Sequence, residues 1–189
     1  RQMCIRDSGT SKNNIIIETI KNPHQKRNIL DQYNNYINYF NIGEKYIIDK
    51  SLINFFWIGF IKIFFPNSKI IHCFREPKDN CLSIYKNLFE ESMQFSYDQN
   101  DLIEFYKMYQ DLMNFWQAEY SDRIYNLNYE SLTTDQTNQT RKLIDHLGLT
   151  WEEACLSPHK NKRSVTTASQ QQVRQKVYKG SSDAWRKYE

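Results

Sequence analysis

Two polar residues near the middle of the chain, Arg75 and Ser83, have the chemistry and spacing of an anion site. Arg75 directly follows the apolar run IIHCF, and Ser83 comes eight positions later. A guanidinium is a permanently charged, planar fork that suits phosphate oxygens, and a serine hydroxyl can donate a further hydrogen bond. The pair therefore predicts a phosphate-binding site. The alternative is that Arg75 pairs with Glu76 or Asp79 and that Ser83 faces solvent.

The elements that would position these residues are strands that alternate with helices. Hydrophobic patterns predict strands at residues 45–49, 69–74 and 123–129. They predict helices at residues 26–40, 52–64, 77–89, 101–120 and 135–147, the last closed by Gly148. Alternation of this kind favours parallel pairing and an α/β layered fold, in which ligands bind at the carboxyl ends of the strands. Arg75 stands at such an end, and the helix after Pro77 would add free backbone N–H groups.

Several aromatic and imidazole side chains are expected to be structural. His72 lies inside the second predicted strand and is most simply a buried, hydrogen-bonded histidine. Phe105, Tyr109 and Trp116 share one side of a long amphipathic helix, which predicts a place in the core.

Composition narrows the class of protein. A chain of 189 residues suits one domain with its own core, and a net charge of +3 suits an anionic small molecule but not nucleic acid. The four cysteines form no C-x-x-C pair and the four histidines are scattered, so we expect no metal and reduced, mostly buried thiols in a cytoplasmic protein. The longest apolar run, residues 52–65, contains Lys62 and is too short for a membrane span.

The first residues have an unusual composition. The chain opens with Arg, and RQMCIRDS is typical of a translated sequencing adapter, so we interpret residues 1–8 as non-native. Residues 9–189 are then expected to be the C-terminal part of a single domain.

Four sequence blocks occur in a characteristic order: DKSLINFF, PNSKIIHCFREPKDNCLSIY, RIYNLNYESL and TASQQQVRQKVYKGSSDAWRKYE. Together, over residues 26–189, they resemble the sulfotransferase superfamily. The resemblance is strongest to the bacterial-type group that is often fused to tetratricopeptide repeats and is related to tyrosylprotein sulfotransferases. It implies a P-loop-like parallel sheet flanked by helices, here incomplete at the N-terminus.

The resemblance also implies a reaction. Members of this superfamily transfer a sulfuryl group from 3′-phosphoadenosine 5′-phosphosulfate to a hydroxyl or amine, without a metal. By resemblance, Arg75 and Ser83 would hold the 3′-phosphate of this donor. Lys50 matches a catalytic lysine that neutralises charge on the sulfuryl group or on the leaving phosphate. The chain departs from the family pattern at Leu52, where proline is usual.

Further positions match the family's nucleotide contacts. Tyr129 matches a tyrosine that contacts the nucleotide, although a tyrosine at a strand end is commonly core. The segment that would close over the nucleotide contributes four candidates, Ser169, Arg174, Lys176 and Lys179. Trp185 matches a family tryptophan and is expected to anchor packing.

The family's loop for the 5′-phosphosulfate, of the type P-R-S-G-T-T after a strand, is expected to be missing. The segment DSGTS at residues 7–11 has no strand before it and lies too close to Lys50 to be that loop. The general base of the family also belongs to this region, so the chain is expected to be a fragment that lacks part of the catalytic machinery.

Two other functions remain open on the sequence alone. A P-loop nucleotide kinase relative would share the layered fold but would need G-x-x-x-x-G-K-[ST], which is absent from the sequence. A non-catalytic interaction module would use the polar tail and the helix at residues 52–64. The acceptor is not specified by the sequence and would be a protein, a carbohydrate or a small molecule, with residues 90–100 as a candidate acceptor loop.

Overall fold

The computed structural model describes residues 17–40, 45–89, 93–161, 174–178 and 182–188, except for the side chain of Phe40. The described residues form two compact units, divided between Ser68 and Lys69. Among these residues, no helix has the length and apolar character needed to cross a membrane.

The first unit is helical. Helix α1, Pro23–Phe40, begins earlier than the apolar pattern predicts, because Asn22 Oδ1 accepts the backbone N–H groups of His24 and Gln25 at 3.0 and 3.3 Å. A 3₁₀ turn, Asn54–Trp57, leads into α2, Ile58–Phe64. The apolar stretch at residues 52–64 is therefore helical in two pieces.

A buried lysine closes the C-terminal end of α2. Lys62 is 7% exposed, and its ammonium donates to the carbonyls of Pro66 and Ser68 at 3.2 and 3.0 Å. These carbonyls satisfy the charge that the apolar helix buries.

The strand predicted at residues 45–49 is wrong. Residues 46–51 have no regular structure and are exposed, with Ile48 91% exposed. A strand exists only when a neighbour pairs with its backbone, and the described part of this unit contains no strand. The segment is held instead through Asp49, which accepts hydrogen bonds from Tyr33 at 3.1 Å and Asn54 at 3.3 Å.

The second unit contains a small parallel sheet. Strands β1, Ile70–Phe74, and β2, Ile124–Asn128, pair in parallel with Ile70 opposite Ile124 and Phe74 opposite Asn128. They are joined through α3, Pro77–Tyr85, a 3₁₀ turn, Gln94–Tyr97, and α4, Gln99–Glu119. The expectation of an α/β fold with parallel pairing is confirmed at this level. A P-loop-like sheet stays a prediction.

The chain after β2 continues in helical elements. Helix α5, Tyr129–Thr134, and α6, Gln136–Leu147, follow directly. Gly148 ends α6 with φ 69°, as the sequence predicts, and its left-handed conformation places its N–H on the carbonyl of Asp145. Later in the described part of the chain, 3₁₀ turns occur at Glu153–Leu156, Pro158–Lys160 and Ala184–Tyr188.

The core of the second unit extends to both faces of β2. Its most buried apolar side chains are Leu102 and Met113 of α4 and Ile124 and Leu127 of β2. Ile124 and Leu127 are three positions apart in one strand, so they lie on opposite faces of the sheet. The aromatic stripe of α4 contributes part-buried rings: Phe105 stacks on Phe95 at 3.8 Å, and Tyr109 bonds to His72.

The face of β1 opposite His72 is exposed. It carries Ile71 and Cys73, both exposed, while Cys81 and Cys155 are half-buried. The expectation of mostly buried thiols is therefore wrong for Cys73, because α4 covers only the face of β1 that carries His72. All three are free thiols.

Candidate anion-binding site

The turn between β1 and α3 is fixed by hydrogen bonds at both of its ends. Glu76 caps α3, since its Oε2 accepts the Asp79 N–H at 2.9 Å, and Pro77 occupies the first turn as predicted. The Glu76 N–H donates to Glu130 Oε1 of α5 at 3.1 Å. A residue between β1 and α3 is thus held against the start of α5.

Arg75 lies between a carboxylate and an aromatic ring. Its Nη2 is 3.9 Å from Asp79 Oδ2, and its Cζ is 5.1 Å from the centre of the Tyr129 ring. The side chain is 21% exposed, so the guanidinium is oriented by protein groups while part of it meets solvent. Arg75 therefore does pair with Asp79, but the pairing leaves it on the wall of a pocket.

That pocket has a volume of about 720 Å³ and lies at the carboxyl end of β1. Four of the residues predicted from the sequence line it together: Arg75, Ser83, Tyr129 and Lys176. Ser83 is half-buried and lines the pocket. It therefore does not simply face solvent, which was the alternative.

Of the other predicted positions, the structure describes Lys50 and Arg174. Lys50 belongs to the first unit, where it is exposed at the end of the irregular segment. Arg174 is described and exposed but does not line the pocket. Ser169 and Lys179 lie outside the described residues.

The charges on the pocket wall favour an anion. Arg75, Lys86 and Lys176 line it, against the single acidic lining residue Asp79. The Asp79 carboxylate accepts the N–H groups of Asp183 and Trp185 at 2.7 and 3.4 Å, which spread its charge over fixed donors. The lining side chains are therefore net cationic.

Lys86 lines the pocket but is not among the residues predicted from the sequence. Asp79, Ser83 and Lys86 follow one another at spacings of four and three, which places them on one face of α3 and its end. This spacing was the available signal. Helix α3 ends at Tyr85 rather than at residue 89, because the Asn87 side chain donates its Nδ2 hydrogen to the Ser83 carbonyl at 2.6 Å and so competes with the backbone of the last turn.

Trp185 packs against the outside of α3. The Lys78 ammonium lies 3.6 Å from the centre of its ring, and the Arg186 guanidinium lies 4.9 Å away. This arrangement agrees with the predicted packing role.

His72 forms a separate polar network beside a smaller pocket of about 130 Å³. Asn126 Oδ1 accepts Gln117 Nε2 at 2.6 Å and is 2.8 Å from His72 Nδ1, so Nδ1 is the protonated nitrogen and Nε2 accepts from the Tyr109 hydroxyl. Burial lowers the pKa of His72, which favours this neutral form. The hydrogen-bonded histidine predicted from the sequence is confirmed, although it is half-buried rather than buried.

Among the described residues, no group of three or more His, Cys, Asp or Glu side chains could hold a metal ion. The described lining of the larger pocket comprises lysine, arginine, hydroxyl, amide and apolar groups, together with the Asp79 carboxylate, which accepts two backbone N–H groups.

Comparison with known proteins defines the class. A family model described as "Sulfotransferase family" matches residues 7–153. An uncharacterized protein of Aquifex aeolicus (strain VF5) is 35% identical over 146 residues, which cover 76% of this chain and 19% of that protein. The chain belongs to the sulfotransferase family.

The extent of these matches adds two facts. The chain spans about a fifth of the length of that relative. The family match begins at Asp7, earlier than the expected resemblance, and ends at Glu153, so residues 154–189 lie beyond it. Within the match lie Arg75, Ser83 and Tyr129, whereas Lys176 lies outside.

Proposed function

We propose that the pocket at the carboxyl end of β1 binds the 3′-phosphate of 3′-phosphoadenosine 5′-phosphosulfate. One observation carries the proposal: Arg75 and Ser83, eight residues apart, line one pocket that also contains Lys86 and Lys176. Family membership supplies the reaction class, sulfuryl transfer, and the pocket supplies the feature that would select this donor.

The size and chemistry of the pocket fit that nucleotide. Its volume of about 720 Å³ lies within the range of small-molecule sites. Arg75 would contribute a fork to two phosphate oxygens, and the Ser83 hydroxyl would donate to a third. Lys86 and Lys176 are exposed and would add charge from the rim. Tyr129 would keep the guanidinium in place through its ring.

The proposed reaction is an in-line transfer of the sulfuryl group to the acceptor. The acceptor oxygen or nitrogen would form a bond to sulfur as the bond between sulfur and the 5′-phosphate oxygen breaks, which releases 3′-phosphoadenosine 5′-phosphate. The acceptor proton would pass to a base. Lys50 would stabilise the negative charge that develops on the leaving phosphate, as an exposed ammonium at a segment anchored through Asp49.

The test is thermal stabilisation by 3′-phosphoadenosine 5′-phosphate, compared with 5′-AMP and ATP. We expect selective stabilisation by the 3′-phosphorylated nucleotide, about 2.7 kcal/mol at a hundredfold excess over its dissociation constant. Arg75→Ala should abolish the selectivity. Arg123→Ala is the matched control, because Arg123 is exposed and pairs with Asp122 outside the pocket.

Two results would contradict the proposal. Stabilisation by ATP equal to that by the 3′-phosphorylated nucleotide would favour the nucleotide kinase interpretation. Stabilisation that survives Arg75→Ala would place the nucleotide elsewhere.

A further inference from the structure

The C-terminal segment at residues 182–188 lies along α3 and its end. Lys78 Nζ is 3.6 Å from the centre of the Trp185 ring, and Lys86 Nζ is 4.4 Å from the centre of the Tyr188 ring. These lysines are eight residues apart, so the segment spans about two turns. The hydrogen bond with Lys86 lowers the pKa of Tyr188. Within this segment, Ala184 lines the anion pocket.

A single carboxylate joins this segment to the pocket. Asp79 is 2% exposed, its Oδ2 accepts the Asp183 N–H at 2.7 Å, and its Oδ1 accepts the Trp185 N–H at 3.4 Å. The same Oδ2 is 3.9 Å from Arg75 Nη2. A buried carboxylate is stable only when fixed donors compensate its lost hydration, and here backbone donors and a guanidinium do so.

The backbone of the segment is shaped for this contact. Asp183 has φ 65°, which is uncommon for a residue other than glycine and is best tolerated by Asp and Asn. In this conformation the N–H groups of residues 183 and 185 both reach one side chain that is 104 residues distant from Asp183.

Resting on the function proposed above, we propose that Asp79 is a positioning residue for nucleotide binding. Its carboxylate holds the segment 182–188 against α3 and orients the Arg75 guanidinium, so the pocket wall at Ala184 and the cation that meets the phosphate are set by one group. Asp79 does not contact the phosphate, because two negative charges would repel each other. Docking of the C-terminal segment and affinity for the 3′-phosphate are therefore coupled.

Asp79→Asn tests the first half of this proposal. The amide keeps the shape of the side chain but replaces one acceptor oxygen with a donor, which faces an N–H group or the guanidinium. Without nucleotide, hydrogen exchange at the amides of Asp183 and Trp185 should accelerate about tenfold or more, as loss of a charge-assisted hydrogen bond implies. Asp122→Asn, at an exposed carboxylate, is the control and should leave both amides unchanged.

A double-mutant cycle tests the second half. Asp79→Asn should weaken binding of 3′-phosphoadenosine 5′-phosphate about tenfold in the native background, and by about threefold or less beside Arg75→Lys. Lysine lacks the planar fork that Asp79 orients, so Asp79→Asn should cost less nucleotide affinity in that background. A merely structural defect would cost the same factor in both backgrounds.

The outcomes separate this inference from the proposed function. Native protein that fails to bind the nucleotide overturns the proposed function and the nucleotide role of Asp79 with it. Native protein that binds, with unchanged exchange or unchanged affinity in Asp79→Asn, overturns the inference alone. If Asp79→Asn does not fold, Lys78→Ala loosens the same segment from its exposed side. Faster exchange at Trp185 together with weaker nucleotide binding would then support the coupling, and unchanged affinity would refute it.

Discussion

The chain contains two apolar runs that end in a cation, and they have different fates. IIHCF before Arg75 forms β1 and pairs with β2 in parallel, whereas KYIID before Lys50 is exposed and irregular. Arg75 lies on a pocket wall between Asp79 and Tyr129, while Lys50 stands at an exposed position. The difference shows that a run of apolar residues becomes a strand only where a neighbour satisfies its backbone groups.

The two regions also differ in how long-range contacts hold them. Glu130 of α5 holds the turn after β1 through the Glu76 N–H, 54 residues away. Asp49 beside Lys50 is bound by Tyr33 and Asn54, which are 16 and five residues away. Contacts between distant parts of the chain thus fix the geometry around Arg75.

The largest expected effect is a difference in stability loss between a substitution in the sheet and one in the irregular segment at residues 46–51. Leu127 of β2 is 8% exposed, and Leu127→Ala should lower the free energy of unfolding by about 2–5 kcal/mol because it leaves a cavity. Ile48→Ala should change it by less than about 0.5 kcal/mol, since Ile48 is 91% exposed. Urea denaturation measures both. A comparable loss in both variants would show that residues 46–51 are packed in solution.

The second prediction compares the two cations. Adenosine 3′-monophosphate carries only the 3′-phosphate, and Arg75→Ala should weaken its binding about thirtyfold or more, the cost of a charged hydrogen-bond partner. Lys50→Ala should leave that affinity unchanged, because its proposed role concerns the 5′ end. Titration calorimetry measures both, with 5′-AMP as the control ligand. Equal losses would assign both cations to one phosphate.

The third prediction compares the serines near these cations. Ser83→Ala removes one neutral donor from the pocket and should weaken binding of 3′-phosphoadenosine 5′-phosphate about fivefold to tenfold. Ser51→Ala should have no effect, because the Ser51 hydroxyl accepts the Ile53 N–H at 3.5 Å and is not among the residues that line the pocket. An unchanged affinity in Ser83→Ala would remove this hydroxyl from the site.

The smallest effect concerns pH and the interior of β1. Burial lowers the pKa of His72, so the unfolded chain binds this proton more readily than the folded one. The stability that neutral His72 contributes is present above about pH 6.5, its ordinary pKa, and is lost as the pH falls from there toward the lower folded pKa. His72→Gln should flatten this slope in denaturation at a series of pH values. His24→Gln, at an exposed histidine in α1, should leave it unchanged.

Much of the second unit could be predicted from the sequence. The strands at Ile70–Phe74 and Ile124–Asn128, the start of α3 at Pro77 and the cap at Gly148 follow from local chemistry. Arg75 and Ser83 line the same pocket, as their spacing predicts, because the helix that begins at Pro77 places Ser83 on the side that faces it. Local signals sufficed wherever backbone geometry and hydrophobic period agreed.

The errors have a common physical origin. The strand predicted at residues 45–49 does not form, since the described part of the first unit contains no strand to pair with it. Helix α3 ends earlier than predicted because Asn87 Nδ2 donates to the Ser83 carbonyl of its last turn. Cys73 is exposed because only one face of β1 is covered. Each depends on what lies next to a residue in space, which periodicity does not encode.

The sequence alone therefore determined the family, the α/β character and the arginine and serine that line the proposed anion site, since each depends on residue types at fixed spacing. Only the tertiary structure decided that Asp79 serves both Arg75 and the segment 182–188, and that Lys86 shares their pocket. These contacts join residues up to 106 positions apart. No local pattern specifies such a meeting, because it arises when packing places the C-terminal segment on α3.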